Sequence, residues 1–207
     1  MKGQEPANKG SRYPAEVLST AEVIEIIGQC SAKSASGIRN RALLMLLFRS
    51  GLRLNEALTI RPVDVDLAHH SIRVLSTKSG QPQTRGFHPT VTDALARWMD
   101  TRKTLGIRNG KSPAPLFCTL DGGPIAAQYV RALLKRLAGE CRIERRVHPH
   151  GLRHAYAAEL ERSGMRPLQI SRLLGHSSLA VTDRYLRSLT NADAIAALEE
   201  IDLPPLD

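Results

Sequence analysis

Little in this 207-residue chain calls for a crosslink, a metal or a membrane. Its three cysteines, Cys30, Cys118 and Cys141, are scattered and show no Cys-x-x-Cys spacing. That argues against a disulfide framework or a structural zinc site and points to a reducing compartment, the cytoplasm. His69-His70 and His148-x-His150 lack a third ligand at matching spacing, so no metal and no cofactor is expected. No apolar run approaches the roughly 18 residues of a spanning helix, which excludes a helical membrane span. The longest run, Ala42 to Phe48, suits a buried helix. The opening MKGQEPANKGSRYP has no apolar stretch, so no secretory signal is read there. Acidic residues are also scarce: 20 Asp and Glu face 29 Lys and Arg, a net charge of +9. An excess of that sign suits a polyanionic partner, of which nucleic acid is the usual one.

The length supports one domain with at most a small appendage. Residues 1–18, polar and containing Gly, Pro, Asn and Lys, read as a flexible lead. Ser19-Thr20-Ala21-Glu22 is a capping-box pattern that opens a helix through Val23, Ile26 and Ile27. An apolar helix over 41–49 follows, stopped by Gly51, with Arg53 at the start of a short helix over 55–59. Arg53 follows an apolar segment, so a partly buried guanidinium is expected, with Glu56 or a substrate phosphate as its anion. Alternation over 63–67, 71–75 and 84–88, with a turn at Ser79-Gly80-Gln81-Pro82, predicts a three-stranded antiparallel sheet. Lys78 sits just before that turn. Helices are expected over 90–103, 125–141, 149–163, 166–174, 178–188 and 191–201. Residues 107–123 read as irregular, with Leu116-Phe117-Cys118 as a short buried piece. The fold class is therefore mostly α with a small three-stranded antiparallel sheet.

The stretch that carries chemistry is His150-Gly151-Leu152-Arg153, followed by Leu173-Leu174-Gly175-His176-Ser177-Ser178 and then Tyr185. His150 and Arg153 are three apart and project from one side of a helix. An arginine fork suits bidentate capture of a phosphate, and a tyrosine hydroxyl beside it can attack phosphorus. Each piece alone has an ordinary explanation. His-x-x-Arg is usually a solvated face, Leu-Gly-His-Ser a helix stop followed by an N-cap, and Tyr185 a packing residue with its hydroxyl at the rim. The ordered set reads as phosphoryl transfer.

HPHGLRHAYAAEL followed by LLGHSSLAVTDRYL resembles the active-site region of the tyrosine recombinase (phage integrase) family. Upstream, Phe48-Arg49-Ser50-Gly51-Leu52-Arg53 resembles the segment that carries the family's first catalytic arginine. Thr77-Lys78-Ser79-Gly80 resembles the hairpin that carries its lysine. The likeness runs from about Ser19 to Leu189 and implies a tyrosine recombinase catalytic domain over 19–190. Residues 191–207 would form a C-terminal helix and tail for assembly or docking. It implies catalytic roles for Arg53, Lys78, His150, Arg153, His176 and Tyr185. Tyr185 would form a 3′-phosphotyrosyl ester, Lys78 would protonate the leaving 5′-oxygen, and His150 would relay the tyrosine proton. Arg53, Arg153 and His176 would hold the nonbridging oxygens. His154, next to Arg153, is expected to point elsewhere.

The implied function is a site-specific DNA recombinase or integrase. The implied partners are double-stranded DNA and further copies of the chain in a tetramer on it, in the cytoplasm and at the nucleoid. Two other readings stay open: relaxation of DNA in the manner of a type IB topoisomerase, and a non-enzymatic DNA-binding accessory protein. Many family members carry an N-terminal helical DNA-binding domain, for which the 18 or so residues here leave no room. A fragment and a naturally minimal enzyme are both compatible with that.

Overall fold

In the computed structural model, which describes residues 17–75, 82–107 and 114–175, the first helix begins where the Ser19–Glu22 pattern places it. Helix α1 (Thr20–Gly28) has Ser19 as its N-cap. Ser19 Oγ accepts from the Glu22 N–H at 3.2 Å, and Glu22 Oε2 accepts from the Ser19 N–H at 2.8 Å. A cap of this kind stabilises a helix by about 1 kcal/mol. Val23, Ile26 and Ile27 of α1 point inward, as their spacing requires.

Helix α2 (Ala35–Ser50) starts before its apolar run, because the Ser34 hydroxyl caps it by accepting from the Gly37 N–H at 3.2 Å. Two polar side chains are thereby carried into the interior. Arg39 donates to the Cys118 carbonyl at 3.0 Å and to the Tyr129 hydroxyl at 2.8 Å, and Asn40 donates to the same hydroxyl at 2.9 Å. Buried polar groups persist when bonded in this way. Gly51 ends α2 with φ +62°, and a Cβ there would lie 2.2 Å from Leu174 Cδ2. Backbone conformation and packing both select glycine at this position.

The short helix α3 (Leu54–Thr59) follows, then the sheet β1 (Val65–Asp66), β2 (Ser71–Val74) and β3 (Gln83–Gly86). The strands pair antiparallel in chain order, with Ile72 between Val65 and Arg85 and with Val74 opposite Gln83. The first strand is shorter than the alternation over 63–67 predicts. Pro62 sets a 3-10 turn over Pro62–Asp64, and Asp64 closes it on Arg61 with two bonds of 2.7 Å. The third strand ends at Gly86 rather than at 88, because the chain turns into a 3-10 segment at Pro89–Val91.

Helices α4 (Thr92–Thr104), α5 (Ala127–Glu140), α6 (Pro149–Arg162) and α7 (Pro167–Leu174) complete the described elements. Leu95 and Trp98 of α4 are fully buried, and the Trp98 indole N–H donates to the Leu116 carbonyl at 2.8 Å. Leu116, Phe117 and Cys118 form the expected buried piece of the irregular link. Helix α2 is the centre of the core, packed between α4 and α6 with α1 alongside. No helix among the described residues is long and apolar enough to cross a membrane. Lys78, His176 and Tyr185, the helices read over 178–188 and 191–201, and the lead over 1–16 lie outside the described residues.

Candidate active site

Helix α6 opens with Pro149 at its first position, where a missing N–H costs nothing, and His148 as its N-cap. His148 Nδ1 accepts from the Gly151 N–H at 3.0 Å, which places any neutral-ring proton on Nε2. Burial, and then the charge of Arg146, hold the His148 pKa below the ordinary imidazole value. One turn of helix brings His150 and Arg153 to the cleft side of α6.

The His150 ring stacks on His148, with centroids 6.4 Å apart, and meets His154 edge to face at 4.5 Å. His154, four residues on, meets His150 in this way but is not among the residues that line the cleft described below. Burial, and then the charges of Arg153, His148 and Arg53, depress the pKa of His150. A neutral imidazole accepts a proton or a hydrogen bond, so the ring is poised as a base or relay.

Arg153 is 2% exposed. Its Nη1 donates to the Gly51 carbonyl and its Nη2 to the Leu174 carbonyl at 2.8 Å. One guanidinium thus joins the C-terminal ends of α2 and α7, where carbonyls have no helical partners. Those two ends lead directly to Arg53 and to residue 176 in the chain. Arg153 consequently works as a structural clamp as well as a cleft side chain.

Arg53 is the N-cap residue of α3, and its side chain is 37% exposed. Its Nη1 lies 2.7 Å from Glu56 Oε1, and its backbone N–H donates to Glu56 Oε2 at 2.9 Å. Glu56 is 5% exposed. The carboxylate fixes both the backbone and the fork of Arg53, leaving the guanidinium at the cleft wall.

A cleft of about 790 Å³ collects these groups. It is lined by Leu52–Glu56, by Arg131 of α5, by Arg146 and His148–His150, and by Arg153. Four arginines against one carboxylate make it strongly cationic. Arg53, His150 and Arg153 all line this cleft: spacing alone pairs the last two, and the family resemblance adds Arg53. His148, Arg131 and Arg146 are further members that the sequence reading did not assign to a site. His148 was weighed there only as a metal ligand, although His-Pro at a helix start is an N-cap signal. Arg131 carries no local signal, because its place in the cleft depends on how α5 packs. No group of three or more His, Cys, Asp or Glu among the described residues is arranged to hold a metal ion.

Comparison with known proteins shows the family and the fold. The model of the phage integrase family matches residues 16–192. Tyrosine recombinase XerC of Myxococcus xanthus is 31% identical over 172 residues, covering 82% of this chain and 57% of that protein. Tyrosine recombinase XerD of Ralstonia nicotianae is 32% identical over 181 residues, covering 86% and 58%. The chain thus spans a little over half the length of these curated relatives. Among solved structures, the XerA recombinase superposes with a TM-score of 0.77 at 24% identity, over 95% of this chain and 69% of that one. The XerH site-specific recombinase, bound to a palindromic difH substrate after cleavage, gives 0.75 at 22%, over 89% and 53%. These similarities show the shared fold: mostly helical, with a small antiparallel sheet.

Proposed function

Because this chain belongs to the phage integrase family, we propose that it is a site-specific DNA recombinase that cleaves and rejoins strands through a 3′-phosphotyrosyl intermediate. The observation that carries this reading is the convergence of Arg53, His150 and Arg153 on one cationic cleft. In the proposed reaction the Tyr185 hydroxyl attacks phosphorus and its proton passes to the neutral His150. The P–O5′ bond breaks, and the departing 5′-oxygen takes a proton from Lys78. Charge on the nonbridging oxygens is held by Arg53, Arg153 and His176, each donor lowering the barrier by about 3 kcal/mol in a dry site. Attack by a 5′-hydroxyl from a second strand reverses the ester and completes exchange, so no external energy source is needed.

The partners that follow are double-stranded DNA and other copies of the chain, assembled as a tetramer, in the cytoplasm and at the nucleoid. Residues 19–190 are the proposed catalytic domain, with 1–18 as a lead and 191–207 serving assembly or docking. The relatives solved on DNA, XerH with difH among them, support the DNA partner. The test is Tyr185→Phe on nicked duplex. The protein–DNA adduct that resists denaturation should disappear, while noncovalent binding stays close to that of the parent. Parent cleavage should persist in EDTA. An adduct that survives in Tyr185→Phe would move the nucleophile elsewhere and refute the assignment.

A further inference from the structure

We infer that Arg85 is a positioning residue of this site: it clamps the turn at Gly175 and so sets the direction in which the chain enters His176. The inference rests on the reading above, in which His176 holds a nonbridging oxygen.

Arg85 lies on β3 and is 8% exposed, an unusual setting for a guanidinium without a bidentate carboxylate. Its Nη1 donates to the Arg172 carbonyl at 3.2 Å and its Nη2 to Gln83 Oε1 at 2.6 Å. The Arg172 carbonyl also accepts from the Gly175 N–H at 3.1 Å, the bond that closes the end of α7. Arg85 therefore joins the helix stop itself, at the negative end of the α7 dipole, where a cation is favoured.

Gly175 has φ +68°, and a Cβ there would fall 1.6 Å from Arg85 Nη2 and 2.0 Å from its Cζ. The guanidinium occupies the space that any side chain at 175 would need. Glycine is thus required twice, by the left-handed backbone and by the arginine against it. Burial lowers the Arg85 pKa from its ordinary value; the charge of Glu56 works against that shift and the charge of Arg53 with it. Glu56 is also the carboxylate that holds Arg53. The exit of α7 and the Arg53 grip accordingly share one electrostatic centre.

The test is a double-mutant cycle between Arg85→Gln and His176→Ala. Its readout is the single-turnover rate of adduct formation on a nicked duplex that the parent chain captures covalently from a randomised pool. If Arg85 acts through His176, Arg85→Gln should slow cleavage roughly tenfold or more in the parent, and less than about threefold once His176 is alanine. Equal slowing in both backgrounds overturns the inference. A His176→Ala chain that cleaves like the parent overturns the underlying reading with it, which separates the two failures. Arg85→Lys guards against loss of fold, since it keeps a cation facing Glu56. One ammonium does not reproduce the planar fork that reaches both Gln83 and the Arg172 carbonyl. Arg85→Lys should therefore melt like the parent yet remain slow, and full activity would overturn the inference. A histidine-selective NMR spectrum, with the His176 signal identified by its loss in His176→Ala, should show that signal displaced in both Arg85 variants. An unmoved His176 signal counts against the role.

Discussion

The tripeptide Gly-Leu-Arg occurs twice, at 51–53 and at 151–153, and the protein uses the two copies differently. In the first, Gly51 is the left-handed stop of α2, Leu52 is buried, and Arg53 caps α3 with a half-exposed side chain. In the second, all three residues lie inside α6, and Arg153 is almost wholly enclosed. The copies also touch, because the Arg153 guanidinium donates to the Gly51 carbonyl. Arg53 is held by a carboxylate that balances its charge, and Arg153 donates to two buried main-chain carbonyls. A guanidinium enclosed to this degree has lost most of its hydration before any phosphate arrives. Identical local sequence therefore yields one arginine that the fold depends on and one that it merely holds in place.

Removing Arg153 should have the largest effect and should break the contrast if it is wrong. Arg153→Ala leaves the Gly51 and Leu174 carbonyls without that partner and opens a cavity between α2, α6 and α7. The combined cost should be about 3 kcal/mol or more, read as a lowered urea midpoint, together with loss of cleavage. Stability within about 1 kcal/mol of the parent would mean that the carbonyl clamp carries little.

Arg53→Ala should separate chemistry from stability. Its ion pair with Glu56 is partly exposed, so stability should change by about 1 kcal/mol. The cleavage rate should nevertheless fall by about 10² to 10³, the usual effect of losing one donor to a developing oxyanion. If the variant unfolds as readily as Arg153→Ala, the two copies are structurally equivalent and the contrast fails.

Those two arginines also show what the sequence made legible. The helix at Ser19 was readable because a capping box is complete within four residues, and the stop at Gly51 because glycine there has a local reason. The start of α2 was missed because Ser34 caps a polar first turn that shows no apolar period. Residues 63 and 64 read as strand from alternation, which does not register that Pro62 and Asp64 close a turn on Arg61. Arg53, His150 and Arg153 could be gathered into one site through spacing and family resemblance. The partners of Arg153, by contrast, are carbonyls 102 and 21 residues away, and one partner of Arg85 is 87 away. Carbonyls leave no trace in side-chain identity, so the enclosed half of the site is visible only once the chain is folded.

The smallest expected effect is on pH dependence, and it probes both arginines through His150. The pKa of His150 is lowered from the ordinary imidazole value of 6.5, first by burial, then by Arg153, His148 and Arg53 in turn. Above that value the ring is neutral in folded and unfolded chains alike, and its contribution to stability is fully present. As the pH falls through 6.5, the unfolded chain takes up a proton that the folded site resists, so stability is lost progressively until the pH passes the lower folded value. His148 is shifted in the same direction and adds to the trend. His150→Gln should therefore lose less stability than the parent on acidification, with the gap opening below pH 6.5 in urea titrations. Arg53→Ala should raise the His150 midpoint slightly, read by NMR, because Arg53 is the weakest of the four causes and burial persists without it. A His150 that titrates at or above 6.5 in the folded parent would remove the neutral relay from the site and leave the two arginines as its only assigned chemistry on the described helices.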